Sequence, residues 1–499
     1  MRLSTHYICN IKLSITLKIN FMKKITFLIA LIVMAIVTAN AAKLQRYITV
    51  IGAGAKDGTS WANAATDITQ VISDLAWDAS WVPADGADIF VGAGQYDAPS
   101  NGFVMVDKIN VYGGYPAAGG ALRNVLSNQT ILDGKKNATR LILQKEADPA
   151  FTDYCVWDGF ILQNGKAGNG AGALLTLKGV LSNCVIRNCN ATGSYAIGSA
   201  VQGKKNTSAG AAGTSATLYN CLIINNIAGK ATVNFNTAPG YMIYCTIANN
   251  KTTGIINVNA QGVGTDVSTS GLACAGVLLD NWTHWSIGYN SILWGNEGQT
   301  TAQLVSQNGG IKNFTTCAIQ GGAVDITATA VNTPGLITTD PLFVKPTSFT
   351  GLADTDEKWA ELVASDFHIK SNSPGIGVAT VTGLPNTFPL LPTVDLAGKT
   401  LVVNGKADIG AFQSTSTGIF APKQTLTGVS AAVIDELCLV SGLQSNDKVN
   451  IFNVNGKQLY SGVAVVETMF INASSFDKGV VLVNVSRGAS TYSQKVVNK

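Results

Sequence analysis

Charge is scarce in this chain. Only 13% of its 499 residues are Asp, Glu, Lys or Arg, and acid is the scarcer sign through the middle. From Gly159 to Thr265, 107 residues pass without one Asp or Glu, while Lys166, Lys178, Arg187, Lys204, Lys205, Lys230 and Lys251 lie in the same stretch. Glycoside hydrolysis needs paired carboxylates, and calcium-assisted elimination needs carboxylates to hold the metal. That stretch therefore excludes both chemistries from its own residues. A net charge of +4 with no run of like charges gives no footprint for nucleic acid. CxxC pairs, Cys/His zinc spacings, Gly-rich phosphate loops and nucleophile elbows are also missing. No cofactor and no metal is expected. Only one apolar run, near the N-terminus, approaches membrane length, so no span is expected in the mature chain.

Glycine is plentiful, with 52 copies, as a chain with many turns requires. The turns punctuate a phrase that keeps returning. It reads Tyr219-Asn220-Cys221-Leu222-Ile223-Ile224-Asn225-Asn226, and again Ile243-Tyr244-Cys245-Thr246-Ile247-Ala248-Asn249-Asn250. Aligned on the column Gly159, Cys184, Cys221, Cys245, Asn290 and Cys317, the copies step by 25, 37, 24, 45 and 27 residues. Such steps fit the coils of a β-solenoid, the long ones carrying inserted loops. Period 2 then points Ile161, Ile186, Ile223, Ile247, Ile292 and Ile319 inward, with Cys184, Cys221, Cys245 and Cys317 two residues earlier on the same side. Asn188, Asn225 and Asn249, two residues after the isoleucine, are expected to form an inward amide ladder. The cysteines read as stacked small hydrophobes. The alternative is a disulfide between rungs, which lie about 4.8 Å apart.

Lys23-Lys24, an apolar run from Ile25 to Val37, and Thr38-Ala39-Asn40-Ala41 read as a signal peptide over 22–41, cleaved after Ala41. A membrane anchor is the alternative, but the run is short for a span. Residues 1–21 then read as an upstream extension. Ile68, Val71, Ile72 and Leu75 follow helical spacing. They predict an amphipathic helix over 64–76 that plugs the open end of the solenoid. Asp88–Tyr96 reads as the first clear coil.

The order of phrases is specific. Gly58-Thr59-Ser60-Trp61-Ala62-Asn63-Ala64, Val91-Gly92-Ala93-Gly94, Tyr112-Gly113-Gly114-Tyr115, Ile131-Leu132-Asp133-Gly134 and Trp157-Asp158-Gly159-Phe160 resemble exported bacterial β-helix repeat proteins of the pectin-lyase-like superfamily. Asp340-Pro341-Leu342-Phe343, Ser373-Pro374-Gly375-Ile376 and Asp408-Ile409-Gly410-Ala411-Phe412 continue the resemblance. It spans roughly residues 50–413 and implies a right-handed parallel β-helix over 42–412. The family usually carries an acid where this chain has Gly377. Residues 413–430 read as a Ser/Thr/Gly-rich linker. Residues 431–499 read as a small β-sandwich, with a strand into an Asn455-Gly456 turn and a basic, valine-rich end. This segment resembles the C-terminal sorting domain of type IX secretion substrates, with an Ig-like stalk as the alternative. Sorting implies the secretion machinery as partner, and a secreted or surface-attached protein of a Gram-negative bacterium. A monomer is expected.

Candidate site residues are few. Arg187 has a lyase-like reading as a base and an ordinary one as an exposed or loop-covered Arg, with Leu162, Ile224, Ala248 and Leu293 as column mates. Asp133 and Asp158 are the tempting carboxylates, but each precedes Gly and can bond its own turn. Trp282, His284 and Trp285 sit together in the inserted loop of the 45-residue step. They can stack on sugar rings or cover the solenoid flank. His368 reads as a strand residue. Two functions follow as expectations. One is a non-catalytic scaffold for adhesion or for contact with cell-surface, dietary or host glycans; the other is a lyase of an acidic glycan.

Overall fold

The computed structural model describes residues 43–77, 86–135, 137, 139–144, 153–176, 178–192, 197–204, 216–236, 240–253, 274–280, 286–298, 303–307, 312–325, 331–382, 384, 391–414, 428–434, 436–453, 457–476, 478–487 and 490–498. The signal-peptide segment, Trp282, His284, Trp285, Asn455-Gly456 and most of the expected linker lie outside them. The chain divides into two compact units, Met1–Ser414 and Thr415–Lys499.

Four parallel sheets build the first unit: one of nine strands, two of eight and one of four short strands. Each central coil visits them in one order. Cys155–Asp158 lies in the nine-stranded first face, Ile161–Gln163 in the second, Lys166–Ala167 in a short corner sheet and Ala173–Leu175 in the third. The chain re-enters the first face at Gly179–Ser182, paired in parallel with Cys155–Asp158. The fold is a parallel β-helix. Its first strand, Leu44–Ile48, precedes the expected first coil and pairs with Ala87–Gly92.

The corners correct the sequence alignment. Between the first and second faces the coil turns on one residue of positive φ: Gly159, Asn183, Asn220, Tyr244, Asn290 or Thr316. Gly enters this backbone region freely, and Asn enters it more readily than other side chains do. Gly159 and Asn290 therefore belong to this corner column. The register places Phe160 and Ser291 beside Cys184, Cys221, Cys245 and Cys317. The true steps are 24, 37, 24, 46 and 26 residues. In consequence Leu162 and Leu293 share the inward column with Ile186, Ile223, Ile247 and Ile319, all six fully buried. Ile161 and Ile292 point outward.

The second corner turns on Asn164, Asn188, Asn225, Asn249 or Gly295, again at positive φ. That reversal breaks period 2. Asn188, Asn225 and Asn249 do not form the inward ladder; the residue after each corner takes the inward place. The observed ladder is Asn226, Asn250 and Asn296. Asn226 Nδ2 donates to Asn250 Oδ1 at 2.9 Å, and Asn250 Nδ2 to Asn296 Oδ1 at 2.8 Å. Each Oδ1 also accepts the backbone N–H of the neighbouring rung, as Asn250 Oδ1 does from Asn226 N at 2.9 Å. Cys189 N meets Asn226 Oδ1 at 2.9 Å. Amides stacked this way satisfy polar groups that burial would otherwise strand.

The cysteine stack holds free thiols. Cys184, Cys221, Cys245 and Cys317 are buried and unbridged. Cys184 Sγ donates to Ser182 O at 3.2 Å, and Cys221 Sγ to Tyr219 O at 3.3 Å. Burial pushes the Cys184 and Cys221 thiols well up, and Cys317 to about 12. The thiolate is the reactive form, so alkylation at pH 8 is expected to spare Cys184, Cys221 and Cys317 until denaturant is added. Peptide mapping showing native labelling of Cys221 would contradict the packing.

Helix α1, Ile68–Trp77, starts later than the spacing suggests. Ala65 instead bridges Ile48, and Asp67 caps the helix, its Oδ1 accepting from Thr69 N at 2.7 Å and Gln70 N at 3.1 Å. Ile68, Val71, Ile72 and Leu75 are buried in the solenoid core. The helix packs on Phe103–Met105, the edge strand of the third face.

After the last coil the chain runs back outside the solenoid. This return segment, 341–414, holds the hairpin Phe343–Lys345 with Asp366–Ile369 and helix α2, Asp356–Val363. His368 lies in that hairpin, as expected. Phe343, Leu362, Phe367, Leu396, Ile409 and Phe412 pack on outward side chains of the first two faces, among them Val185, Ile224, Tyr219, Ile243 and Ile292. The corner asparagines anchor it. Asn249 Nδ2 donates to Thr347 O at 2.7 Å, Asn225 Nδ2 to Phe349 O at 3.1 Å, and Ala353 N to Asn188 Oδ1 at 2.8 Å. Gly377, where the resembled family has an acid, donates its N–H to Asp408 Oδ1 at 2.7 Å.

The second unit is antiparallel. Ser430–Ile434, Leu437–Ser441 and Thr468–Asn472 form one sheet; Lys448–Asn453, Gln458–Val463, Gly479–Arg487 and Ser490–Asn498 form the other. Cys438 and Val440 of the first share a core with Val449, Ile451 and Val483 of the second, which makes a small sandwich. Arg487 Nη2 meets the buried Asp447 Oδ2 at 2.7 Å and holds that carboxyl below the usual range.

Candidate functional site

Two polar constellations stand out on the solenoid. The first joins Arg187 and Asp133. Asp133, Gln163 and Arg187 occupy one outward column on three successive rungs of the second face. Gln163 bridges its neighbours: Nε2 donates to Asp133 Oδ2 at 2.9 Å, and Oε1 accepts from Arg187 Nη2 at 2.8 Å. Asp133 also accepts from Asn164 Nδ2 at 3.0 Å and from Lys135 N at 2.7 Å. The column mates of Arg187 are thus Gln163, Ile224, Ala248 and Trp294, correcting Leu162 and Leu293 by the same one-residue shift.

Helix α2 closes over this column. The Trp359 ring covers the Arg187 guanidinium at 5.4 Å, and Arg187 is only 7% exposed. A desolvated cation against an indole gains about 2 kcal/mol, which offsets part of its burial cost. Burial pulls the guanidinium down to about 10, opposed by the Asp133 charge. It remains protonated at neutral pH. A covered, protonated guanidinium can hold this corner together but cannot take a proton from a substrate.

The second constellation lies on the outer side of the first face, at its N-terminal rungs. Tyr47, Phe90 and Tyr112 occupy one column on three rungs. Tyr112 and Phe90 stack with centroids 5.8 Å apart, and Phe90 lies 5.3 Å from Tyr47. Trp61, from the turn before α1, stands edge-on to Tyr47 at 4.9 Å and tilts on Tyr115 at 5.4 Å. The backbone of Gly119 passes so close to the Trp61 ring that a Cβ there would lie 2.5 Å from it. All five rings are partly exposed.

Polar groups rim the rings. The next residue of the column is Asp158, which pairs with Arg123 and accepts from Asn183 Nδ2 at 3.1 Å. Arg123 Nε also donates to Gly113 O at 2.7 Å. On the other side Asp88 accepts from Asn110 Nδ2 at 3.0 Å. Tyr112 is raised above the ordinary tyrosine value, first by burial and then by the Asp88 and Asp158 charges, so its hydroxyl stays a donor. Flat apolar rings beside fixed carboxylates, an amide and a guanidinium suit a ligand with one apolar and one hydroxylated side.

Asp158 was foreseen as a candidate; the aromatic platform beside it was not. Its signal was local: Ile89-Phe90-Val91 and Val111-Tyr112-Gly113 each set an aromatic between buried neighbours, which turns the ring outward. Asp133 and Arg187 come together through Gln163, while Asp158 belongs to the platform. Among the described residues, no group of three or more His, Cys, Asp or Glu comes together as a metal site, and no helix is long and apolar enough to cross a membrane. Compared with protein-family models and with curated proteins, the chain matches none.

Proposed function

We propose that this is an exported, non-catalytic β-helix protein, secreted or held on the outer surface of a Gram-negative bacterium, that contacts glycans through the aromatic platform. The observation that carries the reading is the ladder Tyr47-Phe90-Tyr112 with Trp61 and Tyr115 beside it, rimmed by Asp88, Arg123 and Asp158. Sugar rings offer C–H faces to aromatics and hydroxyls to charged groups. A lyase of acidic glycans that used Arg187 as its base would need that side chain open to substrate. The burial of Arg187 under Trp359 speaks for the scaffold instead. The resemblance to type IX sorting domains supports residues 431–499 as the export address.

A glycan array tests the reading, followed by affinity electrophoresis on the hits. Trp61→Ala and Tyr112→Ala are each expected to weaken binding by about thirtyfold, the cost of a buried aromatic anchor near 2 kcal/mol. Circular dichroism checks that both variants fold. A parent that binds no glycan, or a double variant that keeps the parent's binding, would refute the platform. Unsaturated product absorbing in the ultraviolet would turn the assignment to the lyase.

A further inference from the structure

The two sheets of the second unit end in four terminal strands, and three of these carry a block to further pairing. Ser430–Ile434 is engaged from the other sheet, where Gln494 Oε1 accepts from Ala431 N at 3.1 Å. Gln458–Val463 follows Lys457 and pairs with its neighbour through a register shift at Ile451/Phe452. Ser490–Asn498 carries the exposed Lys495. Lysines, bulges and cross-bonds of this kind keep a sheet edge from pairing with another chain.

Thr468–Asn472 carries none. It holds no charge, proline or glycine, and it pairs in unbroken register with Leu437–Ser441. Among the described residues no strand lies on its far side. Phe470 stands at the middle of this edge, 69% exposed. Cys438, Val440 and Ile471 face the core, so the strand alternation turns Leu439 and Phe470 outward. The register sets Ala432, Leu439 and Phe470 in one outward row across the three strands. Ile434 and Leu437, both exposed, pair in the next row. The first row runs to the edge and stops at Phe470.

We propose that Thr468–Asn472 pairs antiparallel with the same strand of a second copy of this chain, joining the two three-stranded sheets edge to edge. The strand is complementary to itself. About a two-fold axis at Phe470, the two Phe470 rings meet across the strands, which favours the pair. Thr468 then lies opposite Asn472 of the second copy, and Met469 opposite Ile471 on the core side. Glu467, the charge next to the strand, faces Ala473 rather than a second carboxylate. A register shifted by one residue would set outward Phe470 against an inward side chain. The two-fold pairing closes on itself and builds no fibre. Five residues a side fall short of the interface of about 1,000 Å² that a standing dimer needs. The dimer therefore forms and parts with concentration, half-formed at on the order of tens of micromolar. The inference does not depend on glycan contact.

Sedimentation velocity of the full chain tests it, across concentrations that bracket that value. The parent is expected to shift from monomer to dimer as concentration rises. Phe470→Lys and Phe470→Glu each set like charges opposite one another and are each expected to weaken the dimer about tenfold or more. Mixed in equal amounts, the two variants are expected to recover the dimer, because opposite charges then meet across the axis. Leu482→Lys, exposed on the outer face of the other sheet, is expected to dimerise like the parent. Circular dichroism checks that each variant folds. A parent that stays monomeric at every concentration would overturn the pairing. So would a parent-like dimer in Phe470→Lys, or equal loss in Leu482→Lys. A mixture that stays monomeric would overturn the register that sets Phe470 opposite itself.

Discussion

Replacing Asn250 with alanine is expected to cost the solenoid about 3–5 kcal/mol. The amide is fully buried and every one of its polar atoms is engaged. Oδ1 accepts from Asn226 N and Asn226 Nδ2, both at 2.9 Å. The two hydrogens of Nδ2 are shared among Ile223 O and Ala248 O, both at 3.0 Å, and Asn296 Oδ1. Alanine strands these partners, and a buried polar group left without one costs about 1–3 kcal/mol. The total stays below the sum because a water can enter the space left behind. Asn332→Ala is the control: its amide bonds Asn313 Oδ1 at 3.0 Å in the open, and its loss is expected to cost within about 0.5 kcal/mol. Urea unfolding followed by tryptophan fluorescence measures both. Equal midpoints for the two variants would mean that the ladder contributes nothing beyond a surface contact.

Ending the chain after Asp340 is expected to leave it insoluble, whereas ending it after Ser414 is expected to leave the solenoid folded. The return segment covers Val185, Tyr219, Ile224, Ile243 and Ile292, each at most 5% exposed. Burying a large apolar side chain contributes about 1.5–3 kcal/mol, so these five alone amount to roughly 8–15 kcal/mol as an upper estimate. That matches the whole stability of an ordinary domain, about 5–15 kcal/mol. The cut after Ser414 falls at the boundary between the two compact units and keeps the return segment in place. Trypsin resistance and sedimentation of both truncations decide the matter; a soluble, resistant product ending at Asp340 would show the cover to be dispensable. Cell fractionation of the longer truncation reads the export proposal as well. Retention in the periplasm supports it, and normal arrival at the surface would make residues 431–499 a stalk or binding module.

The solenoid was legible because its strands repeat a local pattern, aliphatic in and turn residue out. What period 2 could not carry was a corner. Asn183 and Asn225 each sit in a backbone region that reverses the side-chain alternation, so extrapolation across them landed one residue off. The second corner moved the ladder from Asn225 to Asn226, and at the first corner the placing of Gly159 in the cysteine column put Ile161 where Leu162 belongs. The cover over Arg187 was beyond reach for a different reason. Trp359 and Arg187 lie far apart in sequence, and nothing around either one encodes the other. Sequence reading took the outer face near Arg187 as mostly apolar, from mates of which Gln163 and Trp294 replace two, and its cover could come only from the folded chain. The aromatic platform was spread over four elements between Tyr47 and Tyr115, each with one or two rings, and only the parallel register stacks them.

The return segment also changes how the molecule bears force. Hydrogen bonds between coils run along the solenoid axis, so tension between its ends loads the coil interfaces in series, and the weakest parts first. The segment lies across those same interfaces as a tie bar of covalent chain. Ala353 holds the coil of Asn188, Gly351 that of Asn249 through a 3.0 Å bond to its carbonyl, and Thr380 that of Asn290 at 2.7 Å. Pulling neighbouring coils apart must therefore also peel this strap from its asparagine anchors. A protein gripped at a cell surface in moving fluid would share the load among several rungs at once.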